Sequence, residues 1–133
     1  MDFYIAKGAN LPKLKMKLIS DGVTDYQKFN ELLNNACATF SMVNIENGIY
    51  KLANVEADIV VNTIQNTNDV RYEYFIEYQW KGDKDTNKTG SYIAEFKIDF
   101  FGDNTCESLI VPISEKLYIH VQDSITKTTR IKL

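Results

Sequence analysis

At 133 residues the chain has the length of one ordinary domain, and with 44% hydrophobic and 25% charged residues it has the composition of a folded protein, not a disordered one. Its net charge of -3 argues against a nucleic-acid-binding protein, because such proteins gain much of their affinity from Lys and Arg side chains that neutralise phosphates. No stretch approaches the roughly 18 apolar residues of a membrane span, and the start has no signal-peptide pattern, so we expect no membrane partner and synthesis in the cytoplasm.

The first predicted strand follows Pro12 and alternates apolar residues with lysines. These lysines, called the lysine row below, are Lys13, Lys15 and Lys17. Lysines on a strand commonly protect an exposed sheet edge from pairing with other chains. The alternative is that the lysine row contacts an acidic surface of a partner.

A change of period after this strand predicts one short helix near residues 25–34. Tyr26, Phe29, Leu32 and Leu33 recur there at intervals of three and four residues. This is the spacing of one face of a helix.

Short strands are predicted from residue 36 onward. Alternation returns in ACATFSMV, and Asn47-Gly48 has the form of a hairpin turn. IYKLANV and EADIVVN are predicted to be two short strands, and TIQNTND a polar loop after them.

The second half of the chain carries the clearest strand patterns. RYEYFIEYQW has an aromatic face that we expect in the core, and GSYIAEFKIDFF alternates apolar and polar residues throughout. Pro112 restricts SLIVPI to a sheet edge or a strand end, because proline has no N–H to donate. The whole pattern predicts an all-β sandwich of about 7–9 strands.

Residues that could perform catalysis are sparse. The chain has one histidine, His120, and no recognisable grouping of nucleophile, base and acid. Asp83, Asp85 and Asn87 repeat the first odd positions of a calcium loop, but the glycine and the closing glutamate of that motif are missing. We therefore predict a protein that is not an enzyme and has no metal and no cofactor.

A likeness to a known family is carried by three segments: LPKLKMKLISDG, LLNNACATFSMVNIENGIYKLANVEADIVV and KTGSYIAEFKIDFFGDNTCESLIVPISEKLYIHVQDS. From about residue 11 to residue 124, the chain resembles the N-terminal immunoglobulin-like domain of phage upper-baseplate (BppU-type) proteins and related virion proteins. Its Asn-, Lys-, Ile- and Tyr-rich composition is also similar to that of virion proteins of crAss-like phages. The resemblance implies one immunoglobulin-like domain over 1–133, with peripheral arms at 1–12 and 124–133.

The functional expectation from this resemblance is a non-catalytic virion protein, assembled in the bacterial host cytoplasm and present in multiple copies per particle. A capsid decoration or cement protein bound to the major capsid protein is favoured, because BppU-type proteins continue into a longer receptor-binding segment and this chain stops soon after its last predicted strand. The alternative is a baseplate or tail adaptor that binds baseplate or tail subunits. An alternative of another class is a host-surface carbohydrate-binding module, with Tyr118, His120 and Gln122 on one outward face.

Candidate contacts with neighbouring subunits come from both arms and from the lysine row. They are Phe3, Tyr4, Ile5, Lys13, Lys15, Lys17, Ile125, Thr129 and Ile131. The two arms carry β-favouring residues without an evident partner, and such segments can add a strand to a neighbour's sheet edge.

Overall fold

Alternating apolar residues give most of the strands one buried face, and these faces meet in a common core. The computed structural model describes residues 1–18, 35–65, 70–102 and 105–123, which form eight strands and no helix. The strands are β1 (Asp2–Ala6), β2 (Leu14–Leu18), β3 (Ala36–Asn44), β4 (Tyr50–Gln65), β5 (Val70–Tyr78), β6 (Gly90–Gly102), β7 (Thr105–Val111) and β8 (Leu117–Gln122). The all-β prediction is confirmed, whereas the helix predicted near residues 25–34 lies outside the described residues.

The strands are joined in one hydrogen-bonded path with the order β1-β8-β6-β3-β4-β5-β2, and β7 pairs with β6 beside this path. Every pair is antiparallel except β1 with β8. Strand β6 is the centre of the arrangement, because it pairs with β3 along one edge and with β8 and then β7 along the other.

Strand β4 connects two parts of the sheet. Its residues 50–57 pair with β3, and residues 58–65 pair with β5. The register with β3 shifts near Met42, and Asn54 has a φ of 53°, which are features of a bulged strand that bends. The prediction of two short strands followed by a loop at Thr63 is therefore wrong, since one strand of 16 residues runs through Gln65.

The core contains aromatic side chains from both parts of the sheet. Its largest fully buried side chains include Trp80, Tyr92, Phe40, Phe96 and Met42. The Phe40 ring lies 4.8 Å from the rings of Tyr78 and Phe96 and meets Trp80 edge-on at 5.7 Å. The burial of Tyr78 at the end of β5, of Trp80 two residues after it, and of Tyr92 and Phe96 on β6 confirms the two core faces that alternation predicts.

The first residues of the chain belong to the sheet, which corrects the expectation of a peripheral arm over residues 1–12. Strand β1 pairs with β8 in parallel, Ile5 is buried, and the Phe3 ring stacks on Trp80 at 5.9 Å. Sequence alternation could not show this, because the partner strand lies near the other end of the chain. The second arm, 124–133, lies outside the described residues.

Hydrogen bonds and a close backbone approach connect the segment after β1 to the loop that follows β5. Gly8 N donates to Thr86 O at 2.8 Å, and Gly82 N donates to Asn10 Oδ1 at 2.7 Å. A Cβ atom at Gly82 would lie 2.2 Å from the Gly8 carbonyl oxygen, so only glycine fits there.

Two further sequence predictions agree with the described residues. The β3–β4 hairpin turns at Asn47-Gly48, where Gly48 has a φ of 68°, and β7 ends at Val111, directly before Pro112. No helix in the described ranges is long and apolar enough to cross a membrane.

Replacing Phe96 by alanine is expected to lower the free energy of unfolding by about 3–5 kcal/mol, because it opens a cavity beside Phe40. The exposed neighbour Lys97 provides the control, and Lys97→Ala is expected to change stability by no more than about 0.5 kcal/mol. Urea unfolding of both variants measures the difference. Equal stability of Phe96→Ala and the parent chain would contradict the packing described above.

Candidate interaction surface

The surface of the sheet opposite the core carries an apolar row across neighbouring strands. The pairing registers align Tyr118 of β8 with Ile93 of β6, Ile93 with Val43 of β3, and Val43 with Tyr50 of β4. We call these four residues the outer row. Strand alternation usually places polar residues at these positions. The four side chains point away from the core, so packing in the core does not explain why they are apolar.

At one end of the outer row, the β3–β4 hairpin exposes large apolar side chains. Ile45, Ile49 and Tyr50, here called the hairpin tip, are 50%, 65% and 62% exposed. An open groove of about 230 Å³ adjoins Tyr50, and its lining includes Val43 and Ile93. Tyr50 belongs to both the hairpin tip and the groove, whose lining also includes Ser41, Ala94 and Glu95.

The hairpin turn has several internal hydrogen bonds that fix its shape. Asn44 Oδ1 accepts from the backbone N–H of Glu46 at 2.8 Å and of Asn47 at 3.3 Å. Asn47 Oδ1 accepts from Ile49 N at 2.9 Å, and Gly48 N donates to Asn44 O at 2.9 Å. Asn side chains that accept hydrogen bonds from nearby backbone N–H groups stabilise turns. The backbone that carries the exposed apolar side chains is therefore held in one conformation.

At the other end of the face, His120 is held by two polar partners. Ser91 Oγ lies 2.9 Å from His120 Nδ1, and Asp2 Oδ1 lies 2.8 Å from His120 Nε2. The Tyr4 ring stacks on the imidazole at 4.8 Å, and the Tyr118 ring lies 6.5 Å away. We call these five residues the histidine cluster.

The order of partners in the histidine cluster differs from that of a serine hydrolase. There the nucleophilic serine binds Nε2 and the aspartate binds Nδ1, whereas Ser91 and Asp2 contact the opposite nitrogens. The contacts orient the imidazole and so place the Tyr4 ring that stacks on it.

The lysine row finds partners on the neighbouring strand β5. The contacts are Lys13 Nζ to Glu77 Oε1 at 3.7 Å, Lys17 Nζ to Glu73 Oε1 at 3.3 Å and Lys15 Nζ above the Phe75 ring at 4.2 Å. The lysine side chains are about half exposed, so these ion pairs add little stability. The row is therefore partly neutralised by its own sheet, and a contact with an acidic partner stays a prediction.

The other candidate interface residues have different positions. Tyr4 is exposed on the outer face, but Ile5 is buried in the core and Phe3 packs on Trp80, so these two are not available to a partner as an arm. Ile125, Thr129 and Ile131 lie outside the described residues.

The oxygen atoms of the calcium-like segment, Asp83, Asp85 and Asn87, are not grouped around one point where a cation could bind. The buried carboxylate of Asp85 accepts hydrogen bonds from the Tyr78 hydroxyl and from Lys81 N, while Asn87 Oδ1 accepts from Lys51 Nζ at 2.6 Å. Asp83 is exposed. Among the described residues, no group of three or more His, Cys, Asp or Glu side chains is arranged for a metal ion.

Sequence reasoning missed the hairpin tip and most of the outer row. The sequence does carry a signal for the outer row. Ile93 lies between Tyr92 and Ala94, which face the core, so alternation places this apolar residue on the outer face. Comparison with protein-family models, curated proteins and solved structures finds no match to the chain. The function of the chain is therefore inferred from the geometry of its outer face.

Asp85→Ala is expected to lower the free energy of unfolding by about 1–3 kcal/mol, because the Tyr78 hydroxyl and Lys81 N lose their acceptor. Asp83→Ala is the matched control in the same loop, and it is expected to be nearly neutral. Thermal melts with and without added Ca²⁺ test both points. A rise in melting temperature with Ca²⁺ that depends on Asp83 and Asp85 would contradict this description of the loop.

Stability is expected to fall at high pH because of Tyr78. Burial, with the adjacent Asp85 carboxylate, raises the pKa of the Tyr78 hydroxyl far above its ordinary value of about 10. The folded state then favours the neutral phenol, so this contribution is complete below pH 10 and declines as the pH rises above the pKa of the unfolded chain. Urea unfolding between about pH 9 and pH 11 should show a smaller decline for Tyr78→Phe than for the parent chain, and equal declines would contradict the assignment.

Proposed function

We propose that the chain is a non-catalytic structural protein of a phage virion, which binds a neighbouring subunit through the hairpin tip and the adjoining groove. The observation that carries this proposal is the exposure of three large apolar side chains on a hydrogen-bonded turn. Apolar surface presented in one place is the usual mark of a protein–protein contact. The family resemblance supports a virion as the setting.

The rigidity of the turn favours a binding role over incidental exposure. A preformed hairpin loses little conformational freedom when a partner covers it, so more of the gain from apolar burial appears as affinity. Tyr50 offers an aromatic ring of the type found at the centre of interfaces, with Ile49 beside it. The groove beside Ile93 supplies a complementary hollow for a partner side chain.

An immunoglobulin-like β-sandwich is the proposed fold. It is supported by the bend of β4 between its pairing with β3 and its pairing with β5. The contact of the Phe40 ring with the Tyr78 ring, on strands that β4 separates in the path, is further support.

Within the virion, we favour a capsid decoration or cement protein in multiple copies, and a baseplate or tail adaptor is the alternative. Immunogold labelling of purified particles of the encoding phage separates the two. Label on capsids supports decoration, label confined to tails supports the adaptor, and particles without label contradict a virion role.

Changing Ile45, Ile49 and Tyr50 together to serine is expected to reduce incorporation into particles by about tenfold or more, because the apolar anchors are lost. The melting temperature should change little, since these side chains are exposed. Ile113→Ser is the control, because Ile113 is 80% exposed and lies in the connection between β7 and β8, outside the β3–β4 hairpin. Quantitative immunoblots of purified particles measure incorporation, and full incorporation of the triple variant would contradict the proposed contact.

A further inference from the structure

The histidine cluster presents an oriented aromatic ring to solvent. Tyr4 is 57% exposed, and its ring is nearly parallel to the imidazole, with an angle of 23° between the two planes. The imidazole cannot turn freely, because both of its nitrogens have partners at hydrogen-bond distance. The exposed surface of Tyr4 is thus held in one orientation although its side chain lies on an edge strand.

Exposed polar side chains occupy neighbouring positions on the same face of β1 and β8. Asp2 uses Oδ1 for His120, and its side chain is exposed, so the second carboxylate oxygen can accept hydrogen bonds from a ligand. Gln122 follows His120 by two positions on the same face of β8 and is also exposed. An amide supplies both donors and an acceptor.

We propose that the histidine cluster binds a neutral oligosaccharide, with Tyr4 as the stacking surface. A sugar ring has a flat face of C–H groups and a rim of hydroxyl groups, which matches an aromatic ring with a carboxylate and an amide beside it. The exposed carboxylate of Asp2 disfavours an acidic sugar through like-charge repulsion. The histidine cluster is an open surface and would cover only part of a ligand. We therefore expect millimolar affinity.

The proposal is tested by amide NMR titration of the full chain with maltohexaose, cellohexaose and hexa-N-acetylchitohexaose. At least one of these is expected to shift the amide signals of β1 and β8. Tyr4→Phe retains the ring and should retain binding, whereas Tyr4→Ala should weaken binding about tenfold or more. Phe101→Ala is the matched control, because Phe101 is a similarly exposed aromatic residue, at 52%, away from the cluster.

Each other outcome overturns the assignment. Absence of shifts with all three sugars, shifts confined to other strands, or equal loss of binding in Phe101→Ala excludes the cluster as a sugar site. Tighter binding of hexagalacturonate than of the neutral sugars excludes the neutral ligand class. The melting temperature of Tyr4→Ala is measured in parallel. If that variant is unfolded, the folded Tyr4→Phe variant decides the question. Weak binding by Tyr4→Phe overturns stacking on the ring, because this variant keeps the ring and loses only the hydroxyl. None of these outcomes depends on whether the hairpin tip binds a virion subunit.

Discussion

The contact between Phe40 and Tyr78 is the interaction on which the rest of the packing depends. Strand β4 separates their two strands in the hydrogen-bonded path, so backbone pairing alone does not bring them together. Aromatic pairs of this kind contribute about 0.5–1.5 kcal/mol beyond the burial of their area. Trp80 extends the cluster from Phe40 to Phe3, which connects the docking of β1 to the same core.

Strand faces could be predicted from the sequence, but strand partners could not. Alternation is a local property, so it assigns Phe96 and Tyr78 to the core without knowledge of the fold. The pairing of β1 with β8 joins the two ends of the described chain, and nothing within Phe3, Tyr4 and Ile5 signals it. The continuity of β4 was missed for a related reason, because Asn54 is a turn-forming residue that here occupies a bend inside a strand.

The loop after β5 shows how tertiary contacts decide the role of polar residues. Asp83 and Asp85 are equivalent in the calcium-like pattern, yet one is exposed and the other is a buried acceptor. The difference comes from the Tyr78 hydroxyl, which lies in the core and needs a partner there. Burial of Asp85 in turn fixes the loop that Gly82 and Thr86 join to the segment after β1, so one hydrogen bond supports two distant parts of the chain.

The outer face of the sheet has a chemically different group of residues at each end. The hairpin tip is apolar, whereas the histidine cluster combines aromatic rings with a carboxylate. From β1, which carries Tyr4, to β4, which carries Tyr50, the sheet has five strands, so the two ends lie roughly 19 Å apart across the strands at the usual spacing of about 4.8 Å. A sugar on Tyr4 would therefore leave the hairpin tip accessible. A copy anchored to a particle through its hairpin tip would still present the histidine cluster to a second ligand, because the two groups lie on different strands.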